Sequence, residues 1–321
     1  MSGGLFEQIR SNCAEVTRRA KSVRIDEEGL AKFAGELAAA EWPTHDLDPL
    51  HDFEGDDQAK LSLTITLDAI NFGSGWFPEL RKTDGMSGYR TIASAVKKHY
   101  ETEGILTGEQ LRKTTPRSVA EMLGQDLSDS DVADLMTLYT LAWRDLGIWL
   151  LEMHEDQFDG VVRAAEGSAE SLVQSLAQMP LYRDVAQYGD FEVPFYKRAQ
   201  ITVADLHAAF GDGPFGHFDD LSDLTLFADN LVPHVLRCYG VVVYDAPLAA
   251  RVDSGQRLEP GTPEEVEIRA VAVEAVERLV SALGDRGRAT TAHALDGLLW
   301  NAGQSPEVKA RPRHRTRCTF Y

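Results

Sequence analysis

The segment SDVADLMTLYTLAWRDLGIWLLEM, residues 130–153, decides the fold class of this chain. Its apolar side chains recur at intervals of three and four residues, which is the period of an α-helix with one buried face. The segment therefore predicts one long helix packed against other elements. The apolar stripe consists of Val132, Leu135, Met136, Tyr139, Trp143, Leu146 and Leu150.

Further helix signals lie on both sides of this segment. Residues 4–21 carry apolar side chains at helical spacing. Thr115-Pro116 predicts a helix start, because proline suits the first helical position. Residues 262–265 (TPEE) predict another start, in which the threonine caps the helix and the second glutamate completes a capping box, and Gly284 can end it. The buried face of that helix is expected to contain Val266, Ala270, Val273, Val276, Val280 and Leu283.

Signals for β-structure are few. Residues 239–244 (YGVVVY) are short and rich in β-forming side chains. Residues 61–67 alternate between apolar and hydroxyl side chains, as in a strand, yet Leu63, Leu67 and Ile70 also fit a helical stripe, so both readings stay open. The sequence predicts a mainly α protein with little β, formed as a single compact helical domain over residues 1–321, with room for two lobes.

The composition excludes several classes of protein. The chain has 321 residues, of which 43% are hydrophobic, so it is neither disordered nor fibrous. Its 51 acidic and 32 basic residues give a formal net charge of −19, which opposes binding to nucleic acid or anionic lipid. Three scattered cysteines do not predict a disulfide framework, and the residues after Met1 lack the apolar core of a signal peptide. We expect a cytoplasmic protein without a membrane or nucleic-acid partner.

An acidic, histidine-containing loop follows Trp42. Its oxygens and imidazoles can in principle bind a divalent metal ion, but the spacing of an EF-hand is missing and the chain contains no HExxH motif. A solvated loop is the favoured interpretation, and no metal site is expected. The residues concerned are His45, Asp46, Asp48, His51, Asp52, Glu54, Asp56 and Asp57.

Three segments are candidate sites. Residues 195–201 (FYKRAQI) place two cations beside aromatic rings, although surface cations also lie along apolar groups in this way. Residues 226–233 (LFADNLVP) hold an acid within an apolar run, and Asp229 is either a helix cap or a functional acid. Residues 311–317 (RPRHRTR) form a cationic cluster on an acidic protein, either a surface tail or one wall of an anion pocket.

At these segments the chain resembles the queuosine salvage proteins, which act as queuosine 5'-phosphate N-glycosylases. The resemblance runs in order along nearly the whole chain. It implies a mostly helical enzyme, similar to the helix-hairpin-helix DNA glycosylases, that releases queuine from ribose 5-phosphate for tRNA modification, with no metal or organic cofactor. The motifs that carry it are DAINF at 68–72 with Trp76, GYRTIASA at 88–95, YRDV at 182–185, FYKRAQI at 195–201, FADNLVP at 227–233, EVEIR at 265–269, Leu295-Asp296 with Leu299-Trp300, and Pro312, His314-Arg315 and Phe320-Tyr321.

The matched motifs indicate the residues of the site. Asp229 is the expected catalytic residue, because a fixed carboxylate beside C1' stabilises an oxocarbenium-like ribose, directs water to it or attacks it, and these three roles stay open. Queuine is a 7-deazaguanine without the N7 that an acid protonates in a purine, so its departure needs help at another edge of the ring. The residues expected to bind substrate are Phe227 and Ala228 beside the acid, Asp296 and His45 at the base edge, Trp76, Trp300 or Phe72 stacked on the base, and Lys197, Arg313, His314 and Arg315 around the 5'-phosphate, with Arg198 and Arg90 in reserve.

Two alternatives belong to other classes of protein. One is a non-catalytic binding protein for a modified nucleoside or its tRNA, although the acidic balance argues against a tRNA partner. The other is a purely structural helical domain, in which Asp229 is a cap and residues 311–321 are a disordered tail. The interpretation as an enzyme expects instead that this tail folds back onto the body of the protein.

Overall fold

The computed structural model describes residues 3–42, 50, 53 and 55–321, and this part of the chain is mainly helical. In chain order the helices are α1 Leu5–Arg19, α2 Glu27–Ala39, α3 Asp57–Ala69, α4 Gly88–Glu103, α5 Gly108–Arg112, α6 Pro116–Met122, α7 Ser130–Met153, α8 Phe158–Arg163, α9 Ala169–Leu176, α10 Lys197–Phe210, α11 Val232–Cys238, α12 Ala246–Asp253, α13 Pro263–Gly284, α14 Ala292–Ala302 and α15 Pro306–Lys309. The strands are β1 Val23–Ile25, β2 Val185–Tyr188, β3 Phe191–Pro194 and β4 Val242–Tyr244.

The chain divides into two compact units. The first unit contains residues 1–45, 184–197 and 222–317, and the second contains residues 46–183, 198–221 and 318–321. The predicted content, mainly α with little β, is confirmed. The strands form two small antiparallel pairs, β1 with β4 and β2 with β3, both within the first unit.

In the first unit, α13 is the central element. It packs against α1, α2, α11, α14 and the strands β1, β2 and β4. Its apolar face is buried as predicted, apart from the half-buried Val280. The same helix also buries three charged side chains, Glu265, Glu267 and Arg269. Ionised groups are rarely buried without partners, so this helix organises polar contacts as well as the core.

In the second unit, α7 is the central element, and every residue of its predicted apolar stripe is buried. It packs against α3, α5 and α6. Trp143 donates its indole N–H to the carbonyl oxygen of Thr66 at 3.0 Å, which fixes α7 against α3. At Gly147 the helix lies so close to α5 that a Cβ atom would come within 2.5 Å of the carbonyl oxygen of Gly108, so glycine is required there.

The structure resolves the open interpretation of residues 61–67: they belong to α3. The predicted strand at 239–244 exists but is limited to β4, residues Val242–Tyr244. The start of α13 is confirmed, yet its predicted capping box is wrong. Glu265 accepts a hydrogen bond from the backbone N–H of Gly261 at 3.1 Å. Its buried carboxylate also lies 3.9 Å from Nη1 of Arg269. The Thr262 hydroxyl donates to the carbonyl oxygen of Glu259 instead.

Within the described ranges, no helix combines the length and the apolar character that a membrane crossing requires.

Candidate active site

The segment that carries Asp229 is an irregular stretch, residues 224–231, that leads into α11. Its backbone is held from two helices. The N–H of Phe227 donates to Oδ1 of Asp296 on α14 at 3.1 Å, and the carbonyl oxygen of Ala228 accepts from Nε of Arg269 on α13 at 2.9 Å. Two buried side chains from separate helices therefore fix the chain immediately before Asp229.

Asp229 is half-buried, and its two carboxylate oxygens differ. Oδ1 accepts hydrogen bonds from the backbone N–H groups of Leu231 at 2.7 Å and Val232 at 3.0 Å. The capping role that the sequence left open is therefore present at the start of α11. Across the described residues no hydrogen bond reaches Oδ2. The carboxylate is thus anchored through one oxygen, while the other is available to a ligand.

Asp296 and Trp300 lie one turn apart on α14, as their spacing predicts. Asp296 is buried and accepts from the Phe227 N–H, whereas Trp300 is half-buried. The acid, the indole and the segment that carries Asp229 are therefore joined within the first unit.

The C-terminal segment 311–317 is folded onto the first unit and is not a free tail. The side-chain amide of Asn230, the neighbour of Asp229, donates to the carbonyl oxygen of His314 at 3.4 Å. The backbone N–H of Leu258 donates to the carbonyl oxygen of Arg315 at 2.9 Å. His314 is 1% exposed, so it is part of the core.

The basic side chains of residues 311–317 do not all carry a positive charge. Burial lowers the pKa of Arg313, while the nearby carboxylate of Asp229 raises it and Arg315 lowers it. Burial lowers the pKa of His314 to about 3, helped by the positive charges of Arg313 and Arg269 and by His234. His314 is therefore neutral near pH 7. It adds no positive charge to the cluster, whereas the arginines of the segment are cations.

Lys197 begins α10 and is buried. Its backbone N–H donates to Oδ2 of Asp184 at 3.2 Å. The backbone carbonyl of Asp184 accepts from the N–H groups of Phe195 at 2.9 Å and Tyr196 at 3.2 Å. Tyr196 has φ of 48°, a left-handed conformation that is unfavourable for a bulky residue, so the turn before Lys197 is held by these contacts.

Arg269 and Asp184 form a buried bidentate ion pair that the sequence analysis did not anticipate. Nη1 donates to Oδ1 at 2.9 Å and Nη2 to Oδ2 at 2.6 Å, and both side chains are at most 3% exposed. The signal available in the sequence was the EVEIR run at 265–269, where charges interrupt an otherwise apolar helix. The partner of Arg269 could not be read from that run, because it lies 85 residues away in sequence.

Other expected site residues lie elsewhere. Trp76 belongs to the second unit, where it is buried and its indole N–H donates to Oδ2 of Asp134 at 3.1 Å. His45 lies outside the described residues, as does most of the acidic loop. Arg90 is exposed on α4, in the second unit.

Arg198 was expected as an additional phosphate ligand. Its side chain is instead buried within the second unit, among groups that it binds. Its guanidinium lies 4.3 Å from the ring centre of Tyr182 and 4.8 Å from that of Phe72. It donates to the carbonyl oxygen of Ala69 at 2.5 Å, the last residue of α3, and to that of Leu181. A cation that satisfies the carbonyls at a helix C-terminus stabilises that helix, so this side chain is committed to α3.

Among the described residues no group of three or more histidine, cysteine or acidic side chains is arranged to hold a metal ion. Because most of the acidic loop after Trp42 lies outside this range, the expectation that it binds no metal stays a prediction.

The chain is similar to known proteins over nearly its whole length. The model of the family described as queuosine salvage protein matches residues 50–321. The chain is 36% identical over 320 residues to a queuosine 5'-phosphate N-glycosylase/hydrolase of Sphaerobacter thermophilus, covering 98% of this chain and 97% of the relative. It is 32% identical to the protein of the same description from Bos taurus and 30% identical to that from Mus musculus, in each case covering 97% of this chain and 98% of the relative. The chain belongs to the queuosine salvage protein family.

Proposed function

We propose that this chain hydrolyses the N-glycosidic bond of queuosine 5'-phosphate and releases queuine and ribose 5-phosphate. The curated relatives are described as enzymes of this activity, and they match over nearly their whole length. The single observation that carries the proposal is the geometry of Asp229, a carboxylate anchored through Oδ1 with Oδ2 available, in a segment that also contains the buried Phe227.

In the proposed reaction, the bond between C1' and the base nitrogen breaks, and its electron pair leaves with queuine. Water supplies the hydroxyl group at C1', and its proton neutralises the departing base. Asp229 faces the positive charge that develops on the ribose. Because the anchored carboxylate needs no reorganisation as this charge develops, its attraction for the transition state is strong.

We propose that residues on and near α14 bind the leaving base. Asp296 binds an edge of the base, where hydrogen bonds spread the negative charge of the leaving 7-deazaguanine. Trp300 stacks on its face. Phe227 and Ala228 line the site next to Asp229. We retain His45 as a further ligand of the base.

The 5'-phosphate is assigned to Lys197, Arg313 and Arg315. Charge-assisted hydrogen bonds to phosphate are stronger than neutral ones, and two arginines supply planar donors. His314, which is neutral and buried, contributes to this assignment by holding the segment between them in place.

The finer assignments follow the same reasoning. We propose an architecture similar to the helix-hairpin-helix DNA glycosylases and a cytoplasmic location. The net charge of −19 disfavours nucleic acid and membranes as partners, so the substrate is the free nucleotide. Water is the only second reactant, and the proposed reaction uses no cofactor.

The test is release of free queuine from queuosine 5'-phosphate, followed by chromatography. We expect Asp229→Asn to retain the fold and to bind the nucleotide but to lose about 100-fold or more in kcat, which corresponds to about 3 kcal/mol of transition-state stabilisation.

Asp245→Asn is the matched control, because Asp245 is also half-buried in the first unit and caps a helix through Leu248. It should keep its turnover. Nucleotide binding without release of queuine by the parent protein would instead indicate a carrier. Turnover of Asp229→Asn within about threefold of the parent would exclude the catalytic assignment.

A further inference from the structure

The buried ion pair between Arg269 and Asp184 is connected to both segments that the proposed reaction uses. The guanidinium makes several contacts in the first unit, and its Nη1 also lies 3.9 Å from the Glu265 carboxylate. It is paired in a bidentate manner with Asp184, its Nε donates to the carbonyl oxygen of Ala228, and it lies 3.9 Å from the centre of the Phe195 ring. One side chain therefore contacts the residue before Asp229 and a residue two positions before Lys197.

Asp184 completes the connection from the other side. Its carboxylate accepts from the backbone N–H of Lys197, and its carbonyl oxygen accepts from Phe195 and from the strained Tyr196. The hydrogen bonds of Asp184 named above therefore all join it to the turn at residues 195–197 or to Arg269.

A pair of this kind is not explained by stability alone. Taking two charges out of water costs more than an apolar pair of similar volume, and replacement of buried ion pairs by apolar residues is often neutral or stabilising. In place of apolar packing, the guanidinium makes directional bonds to the backbone carbonyl of Ala228 and to the carboxylate of Asp184, which in turn accepts from the backbone of Lys197. Directional bonds of this kind fix the relative positions of the groups that they join, whereas apolar packing only keeps groups in contact.

We propose that the Arg269–Asp184 pair is a positioning element that holds the Asp229 segment and the turn before Lys197 in the mutual register that hydrolysis needs. The inference rests on the proposed function, because the reaction is what requires the register. Arg269 acts through the backbone of Ala228 and does not itself touch the reacting atoms.

The decisive variant is Arg269→Lys. It retains a positive charge beside Asp184 but lacks the planar fork, so its single nitrogen cannot reproduce the bidentate geometry at Asp184 together with the separate Nε bond to Ala228. We expect kcat to fall by about 10- to 100-fold, as for a displaced catalytic group, with a smaller change in KM. Arg278→Lys is the matched control on the same helix, because Arg278 is partly exposed and pairs with Glu274 and Glu27.

A readout that does not depend on activity is amide hydrogen exchange. The N–H groups of Leu231 and Val232 donate to Oδ1 of Asp229, so their exchange reports directly on the anchoring of this carboxylate. Arg269→Lys should speed exchange at these amides. The N–H groups of Ser22 and Val23 donate to Glu267 on the same helix and should keep the exchange rates of the parent.

The outcomes separate this inference from the proposed function. Failure of the parent to release queuine sinks the proposed function, while faster exchange at residues 231 and 232 in Arg269→Lys still supports positioning. With an active parent, a kcat within about threefold and unchanged local exchange overturn the inference. Uniformly faster exchange, including Ser22 and Val23, also overturns it, because the pair would then act only on global stability.

Should Arg269→Lys not fold, Phe195→Leu provides the same test in milder form. It keeps the ion pair and removes the aromatic ring against which the guanidinium lies. A smaller fall in kcat with faster exchange at Leu231 and Val232 supports the inference, and parent values for both quantities overturn it.

Discussion

The two long helices, α7 and α13, use their buried surfaces in different ways. The fully buried side chains of α7 are apolar, aromatic or uncharged, as in the contact of the Trp143 indole with Thr66. The buried face of α13 includes three charged side chains, Glu265, Glu267 and Arg269. Both helices show the same apolar period in the sequence. The difference between them lies in the buried charged residues of α13, which the apolar period does not reveal.

The charges on α13 fall into two groups with separate tasks. Glu267 accepts from the backbone N–H groups of Lys21, Ser22 and Val23 and from the hydroxyl of Tyr188, so it holds β1 and β2 in place. Arg269 holds the segment that leads to Asp229. One helix therefore acts as a frame for the strands on one side and for the candidate site on the other.

Helix α13 therefore contributes both apolar packing and charged hydrogen bonds that align other segments, whereas the fully buried side chains of α7 contribute packing without charges. Apolar contacts are non-directional and tolerate small shifts, whereas hydrogen bonds to charged groups fix atoms within a few tenths of an ångström. Substitutions in α7 are therefore expected to change stability, and substitutions in the polar contacts of α13 to change turnover.

The largest expected effect on stability is that of Leu146→Ala in α7. Leu146 is fully buried, and removal of such a side chain leaves a cavity that costs about 2–5 kcal/mol of the free energy of unfolding. Urea unfolding measures this loss. Well below the midpoint of unfolding, kcat for queuosine 5'-phosphate should stay near the parent value. A kcat that falls with stability in this variant would break the distinction between the two helices.

The long helices α7 and α13 could be predicted from sequence, whereas for α3 a helix and a strand both stayed open. Leu61, Leu63, Ile65 and Leu67 alternate with Ser62, Thr64 and Thr66, and all of these residues are buried. A helix buried on every side has no amphipathic period to detect. Two of the three hydroxyl groups have partners in the core: Ser62 shares a hydrogen bond with the Tyr100 hydroxyl at 2.8 Å, and Tyr100 donates to Thr66 at 3.0 Å. The buried hydroxyl of Thr64 has no hydrogen-bond partner among the described residues.

The site was predictable to a similar extent. Asp229 was detectable as an acid within an apolar run, and the cluster at 311–317 as an anomaly of charge. The contacts that fix them were not, because Asn230 with His314 and Asp184 with Arg269 are separated by 84 and 85 residues. Pairings over such distances depend on the tertiary fold, which a local pattern does not encode.

The next prediction concerns the phosphate. Arg313→Ala should lower kcat/KM for queuosine 5'-phosphate by about 10- to 100-fold, because a charge-assisted bond contributes about 1.5–3 kcal/mol. The unphosphorylated nucleoside never makes this contact, so its kcat/KM should fall much less. The quantity to measure is the ratio of nucleotide to nucleoside activity, in the parent and in the variant.

The exposed Arg311→Ala serves as the matched control from the same segment. An unchanged ratio in Arg313→Ala would contradict the phosphate assignment, and the same test applies to Arg315→Ala. An unchanged ratio would also mean that the C-terminal segment, like α7, is a structural element without a role in substrate choice.

The smallest expected effect is the pH dependence that His314 gives to stability. In the unfolded chain its imidazole takes up a proton near pH 6.5, whereas burial and the nearby positive charges lower its pKa in the folded protein to about 3. Between these values the unfolded state binds more protons, so the stability that the neutral, buried imidazole preserves is complete above pH 6.5 and declines as the pH falls towards 3. Between pH 7 and pH 5 the loss amounts to about 1–2 kcal/mol.

Urea unfolding at the two pH values measures this loss in the parent and in His314→Asn, which has no group that titrates in this range. The variant is expected to be less stable at pH 7, because its amide must find new partners in the core, but its stability should depend less on pH. His217→Asn, which removes an exposed imidazole of the second unit, should follow the parent. If His314→Asn shows the full pH dependence of the parent, the acid sensitivity arises at another group, such as His234, whose pKa burial also lowers. The position of His314 between Arg313 and Arg315 would then contribute to the shape of the segment and not to its response to pH.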